Sequence, residues 1–252
     1  MAYRIALTGG GGVGKTTLAY ALAGHANKQG LRTSVANLDP AAHRLPYAAA
    51  FDIRERYNAR SVSREFKLGP GGALKRVYAD FARDERALRE LDAAAAECDW
   101  LLCDTAGSLE LFLLEGRAPL LARVADAVLF VVDNEAAANE SDLLLLKAIS
   151  AVQELKYALP TLCVINKSDL LEKTEARARR GAKRSKGSRS LADFEGAKSV
   201  CGLDAVDARL RELLGEIGRR ERVVRVSAWE RSGLNDLAGA LRELKCECGD
   251  GS

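Results

Sequence analysis

A chain of 252 residues, 48% of them hydrophobic, has the length for one α/β domain with a sizeable core. No apolar run approaches the roughly 20 residues that cross a bilayer, and the short apolar start does not read as a secretory leader, so no membrane partner is expected. The formal net charge of +3 hides an asymmetry: Lys173 to Ser190 carries eight Lys or Arg against one acid, which leaves the rest of the chain mildly acidic.

In chain order, the first strand is expected at Tyr3–Thr8, followed by the run Gly9-Gly10-Gly11-Gly12-Val13-Gly14-Lys15-Thr16-Thr17 and a helix over Thr16–Gln29 that stops at Gly30. A strand follows at Arg32–Leu38. Asp39 to Gly72 shows no clean periodicity and reads as an elaborated loop region, leading to a helix over Gly72–Glu97. The remaining strands are placed at Trp100–Asp104, Ala127–Asp133, Thr161–Asn166 and Val223–Ser227. The remaining helices are placed at Glu110–Ala122, Asn139–Tyr157, Leu203–Ile217 and Gly233–Leu244. Runs such as Val128-Leu129-Phe130-Val131-Val132 are apolar throughout, as parallel strands covered on both faces require. The expected fold is therefore a doubly wound, mainly parallel α/β sheet. One nucleotide-binding domain would span residues 1–252, with an elaborated loop and helical region at 39–99 and a basic, flexible insertion at 173–190. That insertion has no large apolar residue to bury, so it offers an electrostatic contact to nucleic acid or simply a solvated loop.

The glycine run satisfies G-x-x-x-x-G-K-[ST] between a strand and a helix. Gly11, Gly12, Val13, Gly14 and Thr17 would present backbone N–H groups to phosphates at a helix N-terminus. Lys15 would reach the β- and γ-phosphates, and the Thr16 hydroxyl would bind Mg²⁺. Leu101-Leu102-Cys103-Asp104-Thr105-Ala106-Gly107 is an apolar strand ending in an aspartate and a glycine turn, which suits Asp104 to the Mg²⁺ shell and the Gly107 N–H to the γ-phosphate. Asn166-Lys167-Ser168-Asp169 at another strand end selects the base. The Asp169 carboxylate accepts from guanine N1–H and the exocyclic amino group, the Lys167 stem packs along the purine, and Asn166 ties the loop to its neighbours. Adenine would leave that carboxylate unpaired, at a cost of about 1–3 kcal/mol. Ser227-Ala228-Trp229 would form a third wall, with the Ala228 N–H meeting the base O6.

Of the six cysteines, Cys98, Cys103 and Cys163 sit in or beside expected strands and read as small buried hydrophobes. A reduced, cytoplasmic setting follows. Cys246-Glu247-Cys248 reads as a frayed tail, with metal binding as the weaker alternative.

With these motifs in place, the chain resembles the GPN-loop GTPases. The matching text is Asn37-Leu38-Asp39-Pro40-Ala41, Leu45-Pro46-Tyr47, Asp52-Ile53-Arg54, Leu68-Gly69-Pro70-Gly71-Gly72, the Asp104–Gly107 turn and Asn166–Asp169. Gly10 stands where partition-type ATPases carry an extra lysine. The resemblance implies a dimeric phosphate-loop GTPase in which Asp39 lies near Mg²⁺ and the attacking water. It also implies a Gly-Pro-Asn loop reaching across a two-fold interface, and a role in assembly or transport of large complexes such as RNA polymerase. Read from residues alone, Asp39 is an Asx turn before Pro40 and Gly69–Gly72 a rigid surface turn.

Two positions depart from the family. Gly71 stands in place of its Asn, and Ser108 in place of the glutamine that orients water. Losing such a group costs of order 10²-fold in rate. The reading is therefore a GTP-binding, slowly hydrolysing homodimeric switch, with GTP as substrate and GDP as product. The alternatives are a metallocentre-assembly GTPase and a module that holds GTP with little hydrolysis.

Overall fold

The computed structural model describes residues 2–113, 118–137, 140–170 and 223–249, together with Arg209 and Glu212. Among the described residues seven strands form one sheet, every neighbouring pair parallel: β1 (Tyr3–Thr8), β2 (Thr33–Leu38), β3 (Ala49–Asp52), β4 (Trp100–Thr105), β5 (Ala127–Asp133), β6 (Thr161–Asn166) and β7 (Val223–Arg225). Their order across the sheet is β3-β2-β4-β1-β5-β6-β7. The chain leaves β1 toward one edge, and later leaves β4 toward the other. The end of β1 is thus the switch point where ligands of such sheets bind.

Strand alternation divides the core. In β1, Ile5 and Leu7 face α1 (Lys15–Lys28) and α8 (Leu234–Gly249), packing with Leu18, Leu22, Leu237 and Leu241. Ala6 faces the opposite side, with Val77 and Phe81 of α3 (Pro70–Phe81), Leu88 and Leu91 of α4 (Glu85–Ala96) and Leu121 of α6 (Ala118–Val124). Each fully buried Leu, Ile or Phe contributes about 1.5–3 kcal/mol, so both faces of the sheet anchor the strand that carries the glycine loop. A third cluster joins Phe130 and Val132 to Leu146 of α7 (Glu140–Tyr157). Cys98, Cys103 and Cys163 are buried in these layers, as small hydrophobes would be.

The segment expected to be loop, Asp39 to Gly72, contains β3, a 3₁₀ turn at Ile53–Glu55 and α2 (Ala59–Glu65). β3 is a four-residue edge strand in which only Phe51 is buried, too short to impose an alternating pattern. The helix expected over Gly72–Glu97 is two helices. Pro70 opens α3 at a position where its missing N–H costs nothing, and the Asp84 side chain accepts from Arg86 N and Ala87 N to start α4. Of the helix expected over Glu110–Ala122, the described residues form α5 (Leu109–Leu113) and α6, and residues 114–117 lie outside the described residues. The expected frayed tail is helical instead: α8 runs on to Gly249, carrying the exposed Cys246. The basic segment 173–190 lies outside the described residues, as does the helix expected at Leu203–Ile217 apart from Arg209 and Glu212.

Candidate functional site: a phosphate loop, a carboxylate pair and a base loop

The glycine loop leaves β1 and turns into α1 at Gly14, whose φ of 91° is in the left-handed region. A Cβ on Gly14 would lie 2.5 Å from Asn166 Nδ2, so backbone conformation and a close neighbour both require glycine. Lys15 is the first residue of α1 and is buried. Its ammonium donates to the carbonyls of Gly9 (3.1 Å) and Gly10 (2.8 Å), which folds it over the loop. Burial pulls its pKa below the usual lysine value, opposed by the carboxylates of Asp104 and Asp39. Gly12 lies exposed in the left-handed region, and Thr17 follows half-buried in α1. The turn after β4 presses on this loop: a Cβ on Gly107 would be 2.7 Å from the Gly11 Cα, so only glycine permits the approach.

Asp104 is 1% exposed at the end of β4. Its Oδ2 accepts from Tyr47 Oη at 2.8 Å, whereas buried Oδ1 has no hydrogen-bond partner among the described residues. The Thr16 hydroxyl lies beside the carboxylate and favours its charged form. Asp39 closes β2 in an Asx turn, accepting the Ala41 N–H at 2.8 Å. Burial raises both carboxyl pKa values, countered at both by Lys15. One ammonium therefore faces a buried carboxylate at Asp104 and a half-buried one at Asp39, and one oxygen of Asp104 is unsatisfied among the described residues. This donor set of Thr16, Asp104 and Asp39 suits a divalent cation with hard oxygen ligands such as Mg²⁺.

Five residues outside the expected set organise this corner. Tyr47 caps Asp104. Tyr78, from α3, donates to Leu38 O at 2.7 Å and accepts from Ala106 N at 3.2 Å, so one hydroxyl joins the ends of β2 and β4. Asn37 donates to Asp52 Oδ1 (2.8 Å) and accepts from Asp39 N (3.1 Å), while Arg54 pairs with Asp52 and fixes the start of the loop. Tyr47 stood in the text Leu45-Pro46-Tyr47, but no spacing rule gives its role.

The base loop lies at the ends of β6 and β7. Asn166 is 2% exposed; its Nδ2 donates to Val13 O in the phosphate loop and its Oδ1 accepts the Ala228 N–H, both at 3.0 Å. Asn166 thus ties the two loops together, as expected of it. The Ala228 N–H, expected to meet the base O6, is instead used on this amide. Ser227 Oγ donates to Asp169 Oδ1 at 2.6 Å, and the Lys167 ammonium sits 3.7 Å from Asp133, with φ 63° at Lys167. Ser227 and Ser232 bond each other's backbone, and Trp229 is 80% exposed on that turn.

The two departing positions are not gathered into these clusters. Gly71 is exposed in the first turn of α3, where a Cβ would meet nothing within 4 Å. Ser108 N bonds locally to Ala106 O at 2.8 Å, just before α5. Among the described residues no group of three or more His, Cys, Asp or Glu forms a metal cluster, and no helix is long and apolar enough to cross a membrane.

A parallel doubly wound sheet with a lysine-bearing glycine loop at its switch point and a strand-end aspartate beside it defines a phosphate-loop nucleotide-binding protein. The profile of a family described as "Conserved hypothetical ATP binding protein" matches residues 7–247. The chain belongs to that family, and its curated relatives place it among the GPN-loop GTPases. It is similar to a GPN-loop GTPase of Pyrococcus abyssi, 27% identical over 254 residues that cover 98% of each chain. GPN-loop GTPase 1 of Schizosaccharomyces pombe is 29% identical over 172 residues; the match covers 66% of this chain but only 47% of that protein. The crystal structure of a GTPase in apo form from Pyrococcus abyssi superposes with a TM-score of 0.76 at 25% identity, covering 97% of this chain and 98% of that one.

Proposed function

We propose that this protein binds GTP with Mg²⁺ and hydrolyses it to GDP and phosphate as a homodimeric switch in the assembly or transport of a larger complex. The observation that carries the guanine reading is the Asn166 amide, which locks the base loop of Asp169, Ser227 and Ala228 to the phosphate loop at Val13. Phosphate and base recognition are thereby built into one unit. Bound Mg²⁺ would supply positive charge beside the β- and γ-phosphates, held by Thr16 and Asp104 with Asp39 close by. Lys15 neutralises phosphate charge, and the N–H groups of Gly11, Gly12, Val13 and Gly14 cradle the oxygens. Asp39 is a carboxylate placed to orient water. Ser108 is too short to replace a glutamine there, and Gly71 brings no side-chain amide, so turnover is slow.

The dimer and the larger complex rest on family membership and on the exposed Gly69–Gly72 turn. The test is twofold. GTP and ATP hydrolysis are compared in single-turnover assays, and mass is measured by light scattering with GDP and with a non-hydrolysable GTP analogue. A slow, Mg²⁺-dependent, GTP-selective rate and a nucleotide-bound dimer are expected. Equal use of ATP, or a monomer in both nucleotides at micromolar concentration, would overturn the corresponding half of the reading.

A further inference from the structure

We infer that Tyr47 is a positioning residue for the divalent cation: it holds the Asp104 carboxylate so that Oδ1 is the oxygen presented to the metal shell. This inference rests on the reading of the site as a metal–nucleotide site. Asp104 has two oxygens with unequal surroundings. Oδ2 accepts the Tyr47 hydroxyl at 2.8 Å, whereas Oδ1 is buried and has no hydrogen-bond partner among the described residues. An unpaired buried carboxylate oxygen is costly unless something cationic satisfies it, and a twist about the Cβ–Cγ bond would turn that oxygen away from the shell. The tyrosine bond resists that twist.

Tyr47 is itself held in place. It is half-buried, its ring packs against the core layer beneath β1, and two residues later the chain enters β3, paired with β2 from Val35↔Ala49 onward. The other end of the same loop is fixed at Asp39 by Asn37, itself bonded to the Asp52 that pairs with Arg54. The loop from Asp39 to Tyr47 therefore delivers a carboxylate at one end and a carboxylate clamp at the other, both to one site. Partners that orient metal ligands typically carry 10–100-fold in metal affinity.

The test is Tyr47→Phe, which keeps the ring and removes only the hydroxyl. Mn²⁺ binding to the GDP complex is followed by the loss of the free-ion paramagnetic resonance signal, and GDP affinity is measured separately in chelator. The expected result is a 10–100-fold weaker Mn²⁺ affinity with GDP affinity in chelator and melting temperature close to wild type. Mn²⁺ affinity within twofold of wild type would overturn the inference, as would an equal loss of metal-free GDP affinity, which would mark a role in loop structure alone. The wild type separates the two readings: if it binds GDP but takes up no Mn²⁺ with it, the metal–nucleotide reading itself fails.

Discussion

Asn166→Ala isolates the bond between phosphate and base recognition. The Asn166 side chain makes two hydrogen bonds of 3.0 Å, one to Val13 O and one from Ala228 N, in a position that is 2% exposed. Truncation leaves a buried carbonyl and a buried N–H without partners, each costing about 1–3 kcal/mol, or about 2–5 kcal/mol together after partial relaxation. For a domain of this size 1 kcal/mol moves the melting temperature by about 2–4 °C, so a fall of about 5–15 °C is expected. Nucleotide binding should suffer separately, because Gly14 approaches the same amide and the two loops lose their fixed spacing. GDP affinity should fall by about 10–100-fold, while binding of pyrophosphate, which uses the phosphate loop alone, falls less. Asn166→Asp keeps the acceptor for Ala228 but sets an oxygen against Val13 O, so it should do no better than Ala. Differential scanning calorimetry and isothermal titration give both quantities. A melting temperature within about 2 °C of wild type, together with unchanged GDP affinity, would refute the coupling.

Asp169→Asn should weaken GDP by about 10-fold or more and gain xanthosine diphosphate, since the amide inverts the donor–acceptor pattern; equal wild-type affinity for ADP and GDP by calorimetry would end the guanine assignment. Trp229 is 80% exposed on the base-loop turn and Trp100 is 2% exposed, so a change in tryptophan emission on adding GDP should vanish in Trp229→Phe; an unaltered response would place the reporter elsewhere. Restoring Ser108→Gln and Gly71→Asn together should raise the single-turnover rate by up to about 10²-fold with little change in GTP affinity, and no change in rate would assign water orientation to another residue, with Asp39 the first to examine.

The parts of the site legible in the sequence are those whose chemistry is local in the chain. Gly9 to Thr17, directly after the apolar run Tyr3–Thr8, announces a phosphate-binding loop and a helix N-terminus within nine residues, and Asp104 and Asn166 each close an apolar run. What escaped was set by distant pairing. Tyr47 meets Asp104 across 57 residues, through a segment whose single short strand has too few buried positions to show a period. The Ala228 N–H looked free for a base because nothing local competes for it, yet Asn166, 62 residues earlier, takes it. The break between α3 and α4 was hidden for a different reason. Alanine and charged residues run through both helices, and the Asp84 cap looks in sequence like one more charge on a solvated face.

The long-range ties share a destination. Tyr78 reaches from α3 to Leu38 and Ala106, Tyr47 from the loop before β3 to Asp104, and Asn166 from β6 to Val13, so three separate elements hold the corner around Lys15. A buried hydrogen bond adds only about 1 kcal/mol net, but leaving either partner unpaired costs more, which makes such ties stiff to substitution. Gly71 and Ser108 lie outside this web. The first has open space where a side chain would stand, and the second bonds locally through its backbone N–H to Ala106. Substitution at these two places therefore leaves the scaffold that binds nucleotide intact. For this reason a change there should register in the rate of hydrolysis and hardly at all in affinity or folding.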